Sequence, residues 1–249
     1  MNQMFDLTGK KALVTGGSRG LGKAMAEALI EFGAKVVITG TREKIMDVAK
    51  EIGAIAGIQG DFLLDGQVEK VYIAAKNVLK GSPDILVNNA AIQRRALCED
   101  FPDRDWNDVL SVSLSAVFKM CKLAAKDMIP NRSGKIINVA SMISFFGGLN
   151  IPAYAASKGG VAQITKSFSN AWAKYGLNVN AIAPGYMATD MNEALIADST
   201  RNKQILDRIP AARWGTPKDV KGLTIFLSSN ASDYVNSAVI PVDGGYLGS

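Results

Sequence analysis

Short apolar runs alternate with longer amphipathic stretches along the whole chain. The apolar runs are 12–15, 35–39, 55–59, 85–88, 135–139, 178–182 and 238–242. They are rich in Val and Ile and are bounded by Gly, Pro, Asn or Asp, the pattern of strands buried on both faces. Between them, helical periodicity covers 20–32, 43–52, 65–79, 103–128, 154–175 and 217–228. Pro217 sits where a first-turn proline is tolerated, with Thr216 as its N-cap. This β-α-β alternation predicts an α/β fold, a doubly wound parallel sheet of about seven strands flanked by helices. No linker, repeat or low-complexity segment divides the chain, so residues 1–249 read as one domain. The less regular stretch 186–212 reads as a lid. Ligands of such sheets bind beyond the carboxyl ends of the strands, which is where the chemistry is to be sought.

Composition narrows the classes. The chain has 249 residues, 48% hydrophobic and 20% charged, which is globular and argues against disorder. The net charge of +5 is scattered rather than blocked, and no nucleic-acid motif accompanies it, so the expected partner is a small molecule and not a nucleic acid. Cys98 and Cys121 lack metal-type spacing, and there is no histidine to join them. No metal is expected, and free thiols fit a reducing, cytoplasmic setting. The amino-terminal stretch has no charged-then-apolar signal pattern, and no apolar run is long enough to span a bilayer.

After the first strand comes "TGGSRGLG", residues 15–22. Gly16, Gly20 and Gly22 permit close backbone approach. The following helix start offers free N–H groups and a positive dipole end to a pyrophosphate. The spacing differs from the common G-x-G-x-x-G, so the loop carries weight only because a strand precedes it and a helix follows. The second strand ends "VVITGTRE". Gly40 and Thr41 stand where an acidic residue would hold the ribose hydroxyls of NAD. With Arg42 adjacent and Arg19 in the loop, the tip favours a 2′-phosphate, hence NADP(H), with NAD(H) as the alternative. Asp61, after the third strand, is placed either to accept from an adenine amino group or to cap a helix.

The absence of histidine makes any proton transfer depend on another side chain. Tyr154 and Lys158 in "YAASK" are one helical turn apart and share a face. A cation about 4 Å from the phenol, at an effective dielectric of about 20, is worth on the order of 4 kcal/mol, enough to bring a tyrosine of pKa about 10 towards neutrality. That would suit a general acid or base. The bland alternative for Tyr-x-x-x-Lys alone is an amphipathic helix surface.

Taken in order, "TGGSRGLG", "DILVNNAA", "IINVAS", "YAASK" and "APG" resemble the motifs of the short-chain dehydrogenase/reductase family over essentially the whole chain. The resemblance implies a Rossmann-type sheet, an NAD(P) cofactor, hydride transfer between nicotinamide and a secondary alcohol or ketone, and a homotetramer. It assigns Ser141, Tyr154 and Lys158 to catalysis. It places Ser18, Leu21, Phe62, Asn88, Asn89, Ala90, Pro184, Gly185, Met187 and Thr189 around the cofactor, with Lys158 also on the nicotinamide ribose. Ser113, in "VLSVSLSAVF", stands where the family usually carries an asparagine that supports a water in the proton relay.

Two segments bear on substrate. "IQRRA" puts Arg94 and Arg95 after the fourth strand, and "ILDRIPAARWG" and "ASMISFFGG" resemble the sugar-acid branch, the 2-dehydro-3-deoxy-D-gluconate 5-dehydrogenases and 2-deoxy-D-gluconate 3-dehydrogenases. A carboxylate clamp from Arg94, Arg95 or both is expected, because an arginine fork matches a carboxylate. Tyr186 is a candidate pocket wall. The alternatives are a 3-oxoacyl-thioester reductase, a broad ketone reductase and, from another class, a cofactor-binding regulator with little turnover.

Overall fold

The computed structural model describes residues 3–249; Met1 and Asn2, at the head of the amino-terminal stretch read above, lie outside the described residues. Seven strands form one parallel sheet: β1 (Lys11–Thr15), β2 (Lys35–Gly40), β3 (Ala56–Gln59), β4 (Ile85–Asn88), β5 (Gly134–Val139), β6 (Leu177–Pro184) and β7 (Val239–Val242). Their order is β3-β2-β1-β4-β5-β6-β7. Every neighbouring pair is parallel. The order reverses between β1 and β4, so crossovers leave these two strands in opposite directions and open a crevice at their carboxyl ends.

The helices are α1 (Gly20–Glu31), α2 (Ile45–Ile52), α3 (Gln67–Leu79), α4 (Asp103–Leu110), α5 (Ala116–Asn131), α6 (Pro152–Trp172), α7 (Glu193–Ala197), α8 (Ser199–Leu206) and α9 (Lys221–Ser228). Successive strand residues face opposite sides of a sheet, and here both sides are apolar. Leu13, Leu86, Ile136 and Val179 pack on one face with Val71, Ala75, Met120 and Ala124 of α3 and α5. Ala12, Val14, Ile85, Val87 and Ile137 pack on the other with Met25, Leu29 and Ile225 of α1 and α9. Continuous Val/Ile runs therefore mark the inner strands, which have no face left for water, whereas the edge strands β3 and β7 are only partly buried.

Boundaries differ from the periodicity in three informative places. The single helix expected over 103–128 is α4 and α5 joined by one π-helical turn, Ser111–Ser115, and it runs on to Asn131. The helix expected from Tyr154 begins at Pro152, a residue pre-set for the first turn. The helix expected over 217–228 opens with a 3-10 turn, Pro217–Val220, before α9. At that start the Asp219 carboxylate accepts from both the N–H and the hydroxyl of Thr216, at 2.6 and 2.9 Å. No described helix is long and apolar enough to cross a membrane.

Leu86 has no exposed surface and fills the α3/α5 side of the sheet. Leu86→Ala is expected to cost about 2–5 kcal/mol in urea denaturation, whereas Met46→Ala, on the exposed face of α2, should change stability by less than about 0.5 kcal/mol.

Candidate active site

The crevice is a cavity of ≈ 650 Å³ running along the carboxyl ends of the strands. Its floor is fixed by Thr15 at the end of β1. The Thr15 hydroxyl accepts from the N–H groups of Asn89 and Ala90, at 3.0 and 3.1 Å, and so ties β1 to the chain leaving β4. The Asn89 amide donates to the carbonyls of Thr15 and Gly16, at 3.1 and 2.9 Å. Gly16 has φ +66°, and a Cβ there would press on Ala90. A Cβ on Gly22 would meet the Gly16 carbonyl. These two glycines let the loop fold against the strand ends. The first turn of α1 then faces the cavity without a side-chain cap and without an acidic residue. Free N–H groups, a positive helix end and a glycine cradle fit the pyrophosphate of a dinucleotide.

Gly16, Ser18, Arg19, Gly20, Leu21 and Thr41 line this end of the cavity, with Asp61 and Phe62 after β3. The Asp61 carboxylate accepts from the Leu63 N–H at 3.0 Å and does not cap α3, which starts only at Gln67. Ala90, Pro184, Gly185, Met187 and Thr189 line the middle. Five sequence-selected residues lie elsewhere. Gly22 is the packing glycine just described. Arg42 is exposed beside the tip of β2, outside the cavity wall. Asn88 points into the protein, donating to Cys121 Sγ and to Asn138 Oδ1, because as the last strand residue it alternates away from the cleft. Its neighbour Asn89 is the one on the wall. Ser113 and Arg94 are the other two.

Ser113 is fully buried in the π turn. Its hydroxyl accepts from the Ile92 N–H and donates to the Ile92 carbonyl, both at 3.1 Å. The hydroxyl is thus engaged with the Ile92 backbone as both acceptor and donor. Arg94 is ion-paired with Asp105 at 3.7 Å and is not on the cavity wall. Arg95 is on the wall, with Nη1 donating to the Leu149 carbonyl at 3.0 Å. Arg19 forms an ion pair with Asp190, so the segment after β6 is tied across the glycine loop.

The catalytic candidates meet where β5 ends against α6. Ser141 starts a 3-10 turn, Met142–Ser144. Ser144 accepts from the Ser141 N–H and donates to the Lys158 carbonyl at 2.7 Å, which locks the turn onto α6. Sequence reasoning passed over Ser144; its only signal is its place three residues after an N-cap serine. The Ser141 hydroxyl is hydrogen-bonded to Tyr154, whose ring is partly open to the cavity. Lys158 is buried, and its ammonium donates to the Val139 carbonyl at 2.6 Å, 5.6 Å from the centre of the Tyr154 ring.

This geometry corrects the expected electrostatics. Burial dominates both groups, because a low-dielectric site penalises each charged form. It pushes the Tyr154 phenol up to about 12, a shift that the Ser141 hydrogen bond only partly opposes. It brings Lys158 down to about 8. The lysine charge is spent on a backbone carbonyl, and the phenol stays protonated at neutral pH.

Residues that the sequence reading missed line the same cavity: Asn192, Arg201, Arg208 and Tyr246, with the selected Tyr186. They come from segments at least 20 residues beyond the end of α6, and only the fold brings them to the same cavity.

The chain is similar to known proteins over nearly its whole length. A family model described as enoyl-(acyl carrier protein) reductase matches residues 16–247. The 2-dehydro-3-deoxy-D-gluconate 5-dehydrogenase of Dickeya dadantii is 46% identical over 250 residues, covering 98% of this chain and 97% of that protein. The enzyme of the same name from Bacillus subtilis is 44% identical over 249 residues, covering 99% and 98%. The crystal structure of a gluconate 5-dehydrogenase from Burkholderia cenocepacia, in complex with NADP and tartrate, is similar with a TM-score of 0.92 and 38% identity, covering 99% of this chain and 98% of that one.

Because burial raises the phenol, the ligand-free protein should show no phenolate absorbance from Tyr154 below about pH 10. An ultraviolet titration of wild type minus Tyr154→Phe reads this residue alone; a step near neutral pH would mean that the lysine charge governs after all.

Proposed function

This chain belongs to the short-chain dehydrogenase/reductase family, and on that premise we propose that it is an NADP-dependent oxidoreductase of keto-deoxy sugar acids of the gluconate type. The observation that carries the reading is Ser141, Tyr154 and Lys158 meeting on the wall of one cavity with the glycine loop and the uncapped start of α1. Support for the substrate class comes from the full-length relatives that act on gluconate-type acids and from the cations on the cavity wall.

NADP(H), when bound, supplies the hydride carrier. The chain supplies the rest. Amides of the α1 first turn would hold the pyrophosphate. Thr41 would face the 2′-phosphate without charge repulsion, joined by Arg42 and by Arg19 once it exchanges Asp190 for phosphate. Ser141 would hold the reacting oxygen of the substrate. Tyr154, protonated at neutral pH, would donate its proton to a ketone oxygen during reduction and take one back in oxidation. Lys158 would steady the nicotinamide ribose. Arg95 is a candidate for one substrate oxygen.

We further propose a cytoplasmic homotetramer. Cys98 and Cys121 are free thiols. Phe118, Phe168 and Trp172 form an aromatic ridge on α5 and α6, of which Phe118 is 43% exposed. A second copy would bury that ridge.

The direct test is a turnover panel with NADPH and NADH against a 5-keto sugar acid, an acetoacetyl thioester and a neutral diketone. Preference for the sugar acid with NADPH is expected; preference for the thioester would move the activity to acyl chemistry, and no turnover despite cofactor binding would favour a regulator. Arg19→Ala and Arg42→Ala should each raise the KM for NADPH by about tenfold while leaving NADH within about twofold, the size of one charge-assisted contact to phosphate.

A further inference from the structure

The cavity carries more positive charge than the cofactor uses. Arg19, Arg95, Lys158, Arg201 and Arg208 line it, against the carboxylates of Asp61 and Asp190. Asp190 already neutralises Arg19, and Lys158 is held by the Val139 carbonyl. Arg201, on α8, spends one N–H group on Gln204 at 3.0 Å. The Arg208 guanidinium has no hydrogen-bonding or ion-pair partner among the described residues.

What holds Arg208 is an aromatic platform. Its guanidinium lies 4.4 Å from the centre of the Tyr246 ring. Tyr246 is buried, stacks on Phe146 at 5.9 Å and meets Tyr186 edge-on at 5.4 Å. Tyr186 in turn meets Trp214 at 5.4 Å. Burial and then the nearby Tyr186 raise the Tyr246 phenol above its ordinary value, and the Arg208 and Arg201 guanidinium groups oppose that rise only in part. Phe146 follows the Ser141 turn and Tyr186 follows Gly185, so the platform continues outward from the reacting end. A guanidinium laid on a ring face keeps its fork free for an anion, and the ring limits its rotation.

We propose that Arg208, assisted by Arg201, binds the substrate carboxylate and is the specificity-determining residue for acids. The inference rests on the sugar-acid reading above. Chemistry at C5 of a gluconate-type acid puts the carboxylate carbon four bonds from the reacting carbon. The carboxylate then has to be held away from Ser141 and Tyr154, at the end of the cavity that α8 and the carboxyl terminus close. Arg95 differs from Arg208 in that part of its fork is already given to Leu149.

The test compares wild type with Arg208→Ala, Arg208→Lys and Arg201→Gln, using a 5-keto sugar acid and a neutral 5-keto sugar of equal length. Arg208→Ala should raise the KM for the acid by about 10- to 100-fold, the loss of a charge-assisted pair, with kcat and the neutral sugar changed less than about threefold. Arg208→Lys should recover part of that loss, and Arg201→Gln should give a smaller rise of the same kind. NADPH affinity, read by its fluorescence, should not move. Equal losses on acid and neutral sugar, or an unchanged KM for the acid, would overturn the assignment. Calorimetric titration of the NADP-loaded protein with gluconate reads the same contact without turnover. Binding by wild type that Arg208→Ala weakens supports it even if sugar acids are not turned over, an outcome that would sink the functional reading alone. Equal binding by both, or binding by neither, overturns it.

Discussion

The structure depends on the reversal of strand order between β1 and β4. Two parallel strands whose crossovers depart to opposite faces cannot cover their own carboxyl ends, so a crevice is left there. The chain closes its floor with hydrogen bonds from Asn89 and Ala90 to the Thr15 hydroxyl. Gly16 and Gly22 bring the loop close enough for α1 to start at the cavity. Everything functional is then hung on that rim: the α1 amides on one side, the β5 turn with Ser141 on the other, and the segments after β6 across the top.

The same crevice sets the chemistry through desolvation. Tyr154 and Lys158 share a helix face, yet the lysine is drawn under the strand to the Val139 carbonyl. Both charged forms are disfavoured there, which leaves a phenol that is a donor at neutral pH. A protonated tyrosine suits delivery of a proton to a ketone oxygen. Positive charge that the catalytic groups do not use collects at the other end of the cavity, where Arg208 rests on Tyr246.

Two ties show how segments distant in sequence complete the site. Arg19 reaches Asp190 across 171 residues, so the glycine loop and the segment after β6 are mechanically coupled. Ser144 joins the end of β5 to Lys158. Below them a buried polar column runs from Asn88 through Asn138 to Thr165, at 2.9 Å for each step, and holds β4, β5 and α6 in register. The column also takes Asn88 out of the cleft.

The sequence by itself pointed to the strands, the helices and the meeting of Ser141, Tyr154 and Lys158 on one cavity wall, because each rests on local physics. Val and Ile runs are buried on both sides, glycines sit at a strand-to-helix turn, and Tyr154 and Lys158 are one turn apart. It also determined the order of the motifs and hence the family. What it left open are the directions in which side chains point once the elements pack. Asn88 and Asn89 are adjacent, and strand alternation sends one into the core and the other to the cleft. Ser113 keeps its place in the helix but spends its hydroxyl on Ile92, because the π turn sets it against that backbone. Arg94 turns to Asp105 while Arg95 stays on the wall. Arg201, Arg208 and Tyr246 reach the site only because the chain returns over it after β6 and β7. Those choices are made by long-range packing and by competition for partners, which no local window of sequence contains.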